Sequence, residues 1–194
     1  MPPEDPLASS FRDPAGFVFR LDGVLYRGVR APGLPHYEAL MSSGLYEELV
    51  AEGLLVPHDE VSLSGVPPGV DKVIRPAEVP FVSYPYEWCF SQVQDAALAT
   101  LEIEKRALRR GLTLVDASAY NIQFLGGRPT LIDTLSLRTY EPGEPWTAYR
   151  QFCQHFLAPL ALMSFRDVRL SGLARVHIDG IPLDLASSLL PARS

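Results

Sequence analysis

Apolar and polar positions begin to alternate at Gly16. Phe17, Phe19 and Leu21 interleave with Val18, Arg20 and Asp22, the period of two expected of a half-buried strand. Asp22-Gly23 supplies residues that tolerate the positive φ of a tight hairpin turn. The pattern predicts antiparallel strands over 17–21 and 24–29. Residues 36–54 change period: Tyr37, Leu40, Met41, Leu45, Leu49 and Leu54 recur at near-helical spacing, and Gly44 splits them into two helices. Residues 57–71, with Pro57, Gly65, Pro67, Pro68 and Gly69, read as a loop. Strands are expected near 72–76 and 80–84, then a linker, Tyr84-Pro-Tyr-Glu-Trp88.

The clearest helix spans 89–110. Phe90, Val93, Ala97, Leu101 and Leu108 form its expected apolar stripe, Arg109 and Arg110 suit the negative end of its dipole, and Gly111 suits the position after it. A second hairpin follows, with Ile122–Leu125 and Thr130–Asp133 on either side of Gly126-Gly127. Trp146 opens a helical pattern that Pro159 ends or kinks, and 166–175 and 182–190 read as shorter helices. The order predicts an α+β protein: a loose tail over 1–12, a small β-rich N-terminal lobe over 13–86 with one or two helices, and a mostly helical C-terminal lobe over 87–194.

Composition narrows the function. Hydrophobic residues make up 47% and charged residues 21%, so the chain is globular. The net charge of −6 and a basic cluster limited to Arg106, Arg109 and Arg110 argue against a nucleic-acid partner. The most apolar stretch, Phe152 to Phe165, is short of the ~20 residues of a membrane span and contains Gln154, His155 and Pro159. Met1-Pro-Pro-Glu-Asp-Pro6 has no basic-then-apolar leader. Cys89 and Cys153 are expected as buried free thiols, and the chain as cytoplasmic.

The stretch that bears chemistry is Leu114 to Asp133. Asp116 lies on a loop, Asn121 follows five residues later, and the glycine-tipped hairpin carries the chain back to Asp133. An Asp able to orient a hydroxyl, with an Asn amide and a carboxylate that meet at one place, offers oxygen ligands to a hard cation such as Mg²⁺. Asp and Asn also favour turns and caps, the bland reading of the same set. His36, His58 and His177 lack metal-ligand spacing.

This arrangement resembles the catalytic loop and metal-binding Asp of the protein-kinase-like superfamily, nearest its aminoglycoside phosphotransferase branch. The resemblance implies a kinase-like fold, with Asp116 as catalytic residue, Asn121 and Asp133 as Mg²⁺ ligands, and ATP or another phosphorylated ligand as cofactor. It makes Arg27 the stand-in for the nucleotide-clamping Lys, paired with Glu47 or Glu48, and lets Tyr84 and Tyr86 floor a purine pocket. Departures accompany it: Leu114 stands where the superfamily commonly has His, no Gly-rich phosphate loop is present, and the first Lys is Lys72.

A second resemblance covers nearly the whole chain. Asp116 to Ser136, Pro145 to Leu160 and Ile178 to Leu185 are similar to the N-terminal region of a bacterial family of class I SAM-dependent methyltransferases, whose methyltransferase domain lies downstream. It implies that SAM chemistry, if any, belongs to a domain absent from these residues, and that a kinase-like module here recognises substrate or partner beside it.

Overall fold

The computed structural model describes residues 14–191; the tail expected over 1–12 lies outside them. Strands β1 (Gly16–Leu21) and β2 (Val24–Val29) form the predicted hairpin, with Asp22 and Gly23 at φ 51° and 79°. Its inward residues Phe17, Phe19 and Tyr26 pack as a tilted and a stacked aromatic pair with Val73 beside them. Helices α1 (Leu34–Ser42) and α2 (Leu45–Ala51) follow, divided at Gly44, whose φ of 74° suits glycine.

Residues 57–71 are not all loop. They contain strand β3 (His58–Val61), which pairs with β4 (Lys72–Pro76), giving a four-stranded antiparallel sheet of order β1-β2-β4-β3. The β3 edge is polar, and cross-strand ion pairs Asp59–Arg75 (2.8 Å) and Glu60–Lys72 (3.0 Å) line it. No strand forms over 80–84. That segment is pinned by a side chain: Gln123 accepts from the Ser83 backbone N–H (2.9 Å) and donates to its carbonyl (3.0 Å).

Helix α3 (Phe90–Arg109) has the predicted length, but its buried face is rotated from the expected stripe. Val93, Ala96, Ala97, Thr100, Ile103, Glu104 and Ala107 are buried, whereas Leu101 and Leu108 are exposed. Two polar residues on the inner face hide it from a hydrophobicity reading. Thr100 returns its hydroxyl to the Ala96 carbonyl, and the Glu104 carboxylate accepts from the Thr113 hydroxyl (2.9 Å) and the Leu114 N–H (2.6 Å). Cys153 is a buried free thiol, but Cys89, at the exposed start of α3, is not buried.

Short strands β5 (Leu112–Leu114) and β8 (Leu137–Thr139) pair with each other, and β6 (Ile122–Leu125) and β7 (Arg128–Leu131) form the predicted hairpin. The remainder is helical: α4 (Tyr149–Phe152), a π-helical turn (Cys153–Leu157), α5 (Ala158–Phe165), α6 (Leu173–Val176) and α7 (Leu183–Leu189). Pro159 has no N–H to complete an α-helical ladder, and the preceding turn widens so that the Ala158 N–H reaches Cys153. The chain is thus α+β, a small antiparallel sheet followed by a mostly helical part. One main core joins Leu40, Leu45, Leu49 and Leu55 to Ile103, Leu114, Ile122 and Phe156. Among the described residues no helix is long and apolar enough to cross a membrane.

Burial raises the Glu104 carboxyl above its ordinary range, against the lowering effect of its hydrogen bonds to Leu114 and Thr113. A raised folded-state value means the folded protein gains stability from this group as pH falls, and forfeits it as pH rises through that value. Glu104→Ala is expected to cost about 1–3 kcal/mol, the range for stranding a buried donor. Glu104→Gln is expected to cost less and to flatten the fall in stability from mildly acidic to neutral pH, as read by thermal melting.

Candidate functional site

The site is assembled by backbone hydrogen bonds around Ser136. Strand β5 leads out of α3 and is held by Glu104 below and by the Trp146 indole N–H on the Leu114 carbonyl (2.7 Å) above. The next N–H, Val115, donates to the Ser136 carbonyl (2.8 Å). The β6–β7 hairpin, turned by Gly126 and Gly127 at φ 58° and 80°, returns so that the Ile132 N–H reaches the Asn121 carbonyl (2.8 Å). Ser136 donates its N–H to the Asp133 carbonyl (3.3 Å), and its hydroxyl receives the Asn121 amide (3.4 Å). The segments bearing Asp116, Asn121 and Asp133 therefore meet at one buried serine.

Each of the three side chains is already engaged. Asp116 Oδ1 accepts from the Ser118 N–H (3.0 Å) and from Gln151 Nε2 (2.8 Å), while Gln151 Oε1 accepts from the Ala117 N–H (2.7 Å). Asp133 Oδ1 accepts from the Leu135 N–H (3.0 Å) and lies 2.9 Å from Arg27 Nη2; these two side chains are only 13% and 17% exposed. A carboxylate oxygen in that position is neutralised by a guanidinium that β2 delivers from the sheet. Among the described residues no three His, Cys, Asp or Glu side chains gather in a metal-binding group.

Arg27 thus bonds Asp133 rather than Glu47 or Glu48. Glu47 is exposed on α2, and Glu48 is taken by Arg106 (3.2 Å) and Arg110 (2.7 Å) from α3. Tyr84 and Tyr86 stack on each other, centroids 5.4 Å apart and 5° between planes. Trp88 is buried edge-on against Phe124 and donates to Ser83 Oγ. The sequence alone does not single out Gln151, Ser136 or Gln123. Their importance depends on partners 15 to 40 residues away, and a lone amide or hydroxyl carries no signal of that.

His155 lies partly buried, within electrostatic reach of Asp116. Burial holds its imidazole below the ordinary histidine range, opposed by the charges of Asp116 and Asp179. Its ring meets Tyr120 edge-on at 6.1 Å.

No protein-family model matches the chain. The chain is 36% identical over 179 residues to nodulation protein NoeA of Rhizobium meliloti (strain 1021), a match covering 91% of this chain but only 37% of that protein. Among solved structures it is similar to a mutant kinase domain of Mycobacterium tuberculosis PknI, at 14% identity and a TM-score of 0.43, covering 90% of this chain and 88% of that one.

Gln151→Leu removes the amide that holds Asp116 and strands the N–H of buried Ala117. It is expected to destabilise the protein by about 1–3 kcal/mol in denaturant melts. Gln151→Glu, which keeps one acceptor but sets a second carboxylate against Asp116, is expected to regain stability as pH is lowered.

Proposed function

We propose that this chain is a divergent kinase-like module that recognises a ligand or partner without transferring phosphate, and that it works as part of a longer protein. The observation that carries the reading is the Arg27–Asp133 ion pair, nearly sequestered from solvent. A carboxylate expected to hold a divalent ion instead faces a fixed cation of its own chain. One oxygen of each carboxylate is already committed within the chain: Asp133 Oδ1 is shared by Arg27 and Leu135, and Asp116 Oδ1 by Ser118 and Gln151. The element order supports the kinase-like part: a sheet interrupted by helices α1 and α2, a linker, the long α3, then a loop and hairpin carrying Asp116, Asn121 and Asp133. The match to 37% of NoeA supports membership of a longer protein. In this reading the methyl transfer implied by the second sequence resemblance falls to residues outside this chain.

A second reading keeps the convergence at Ser136 as a Mg²⁺–nucleotide site, with Asn121 and Asp133 as ligands and Asp116 orienting a hydroxyl. It requires Arg27 to release Asp133 when the nucleotide arrives.

Thermal melting separates the two. With millimolar ATP and Mg²⁺ the wild-type midpoint is expected not to move. A metal-dependent rise that Asp133→Ala abolishes would favour the second reading, because a ligand that binds only the folded state must stabilise it. Arg27→Met leaves Asp133 shielded from water without its cation and is expected to cost about 3 kcal/mol, at the lower end for breaking such a pair. Arg27→Met with Asp133→Leu is expected to be more stable than Arg27→Met alone.

A further inference from the structure

Where α1, α2 and the β3 edge meet, polar groups enclose one histidine. The Tyr46 hydroxyl accepts from the His58 N–H (2.8 Å) and donates to the His58 carbonyl (3.1 Å). The His58 ring packs against the rings of Tyr46 and Tyr37, with centroids 4.5 and 5.7 Å away. The Tyr37 hydroxyl donates to Glu60 Oε1 (2.8 Å) and lies 2.9 Å from His58 Nε2. His58 thus joins a tyrosine of each helix to the sheet.

The protons available fix the state of its ring. Lys72 donates to both Glu60 oxygens (3.0 Å each) and, with the Tyr37 hydrogen bond, holds that carboxyl below the usual carboxylate range. Glu60 is therefore ionised and can only accept, so it takes the single hydroxyl proton of buried Tyr37. The contact at His58 Nε2 is then an imidazole N–H donating to the tyrosine oxygen. That leaves Nδ1 as a bare lone pair, and Nδ1 is buried with no hydrogen-bond partner among the described residues. A second proton would sit on Nδ1 and place a charged donor where nothing accepts it.

Burial holds the imidazole below the ordinary histidine range, against the charges of Glu60 and Asp59 on β3. Each of those acids is matched by a cation of β4, Lys72 and Arg75. From α2, Glu47 is exposed and acts on Tyr46. Tyr37 also leads away from the histidine. It is buried with Val29 and Ile74, and Leu135 packs against that cluster. The Leu135 N–H is the one that Asp133 Oδ1 accepts. Helix α1 meets β8 as well, where His36 Nδ1 accepts the Thr139 N–H (3.3 Å). One helix therefore connects His58 to the turn at 134–136.

We propose that His58 is a proton-operated latch: its neutral imidazole fastens α1 and α2 to the β3 edge, and its protonation frees α1 and with it the turn beside Asp133. The latch concerns how α1 is fastened, so it goes beyond the preceding reading and stands whether or not Asp133 meets a ligand. From the ordinary histidine midpoint of about 6.5 downward, the unfolded chain takes up the proton more readily than the folded one. The fold loses stability as pH falls through this window and keeps it above.

The test follows the His58 imidazole by NMR, its signals identified by their loss in His58→Gln, with no nucleotide or metal present. The Nε2–H tautomer is expected, with a titration midpoint below about 6.5 and signals of residues 134–136 that move with the same midpoint. In His58→Gln that movement is expected to vanish. The fall in melting temperature from neutral to mildly acidic pH is expected to be smaller in His58→Gln than in the wild type, a comparison that holds even where acid unfolds the protein before the ring titrates. Glu60→Gln, at the exposed edge, removes a charge that favours the protonated ring and is expected to lower the midpoint further. An Nδ1–H tautomer, a midpoint at or above the ordinary value, or an equal fall in melting temperature in both proteins would overturn the proposal. So would signals at 134–136 that ignore the titration or follow it unchanged in His58→Gln.

Discussion

A guanidinium on the second strand and a carboxylate at the foot of the second hairpin meet at 2.9 Å, in surroundings that hide most of both. Ordering them there carries a desolvation cost that only close pairing offsets. The pair ties the sheet to the loop region, and the same seam is closed by backbone. Leu131 donates to the Leu54 carbonyl and accepts from the Val56 N–H, and the Thr130 hydroxyl reaches the Gly53 carbonyl. The hairpin therefore cannot shift without disturbing the exit of α2. A carboxylate oxygen committed in this way has one strong electrostatic partner within its own chain.

Around that tie the interior depends on polar side chains that serve backbone. Glu104 receives the Leu114 N–H, Gln123 clamps Ser83 at both its N–H and carbonyl, and Gln151 bridges Ala117 and Asp116. Gln123 and Gln151 fix irregular segments that have no sheet ladder of their own, and Glu104 holds the end of the short strand β5. The loop before Asn121 and the linker before Trp88 hold their shape through these contacts.

The hairpins are legible in the sequence because Asp22-Gly23 and Gly126-Gly127 need positive φ, a local requirement written in residue type. The α+β order and the helix breaks at Gly44 and near Pro159 are legible for the same reason. Strands β3, β5 and β8 are not: they are three or four residues long, and β3 is a polar edge whose existence depends on Arg75 and Lys72 across from it. The inner face of α3 is hidden because Thr100 and Glu104 lie on it, and nothing local says that a threonine and a glutamate are satisfied in the interior. For the candidate site, the return of Asp133 towards Asn121 follows from hairpin geometry. The partner of Arg27 does not, since pairing it with Glu47 or Glu48 assumes an inward-facing α2 acid, whereas α3 supplies arginines that take Glu48 outward.

The π-helical turn before Pro159 amounts to one residue more than an α-helix would need over the same rise. Because each helical residue advances the side-chain direction by about 100°, trimming that surplus residue would straighten the rod while swinging everything beyond it around its axis. Leu162 would leave the company of Ile181 and Ala186, and the Gln154 carbonyl that moors Ile181 would be reclaimed by the helix. Chain length in this stretch is therefore less forgiving than side-chain identity: a deletion of one position would unseat the C-terminal helices.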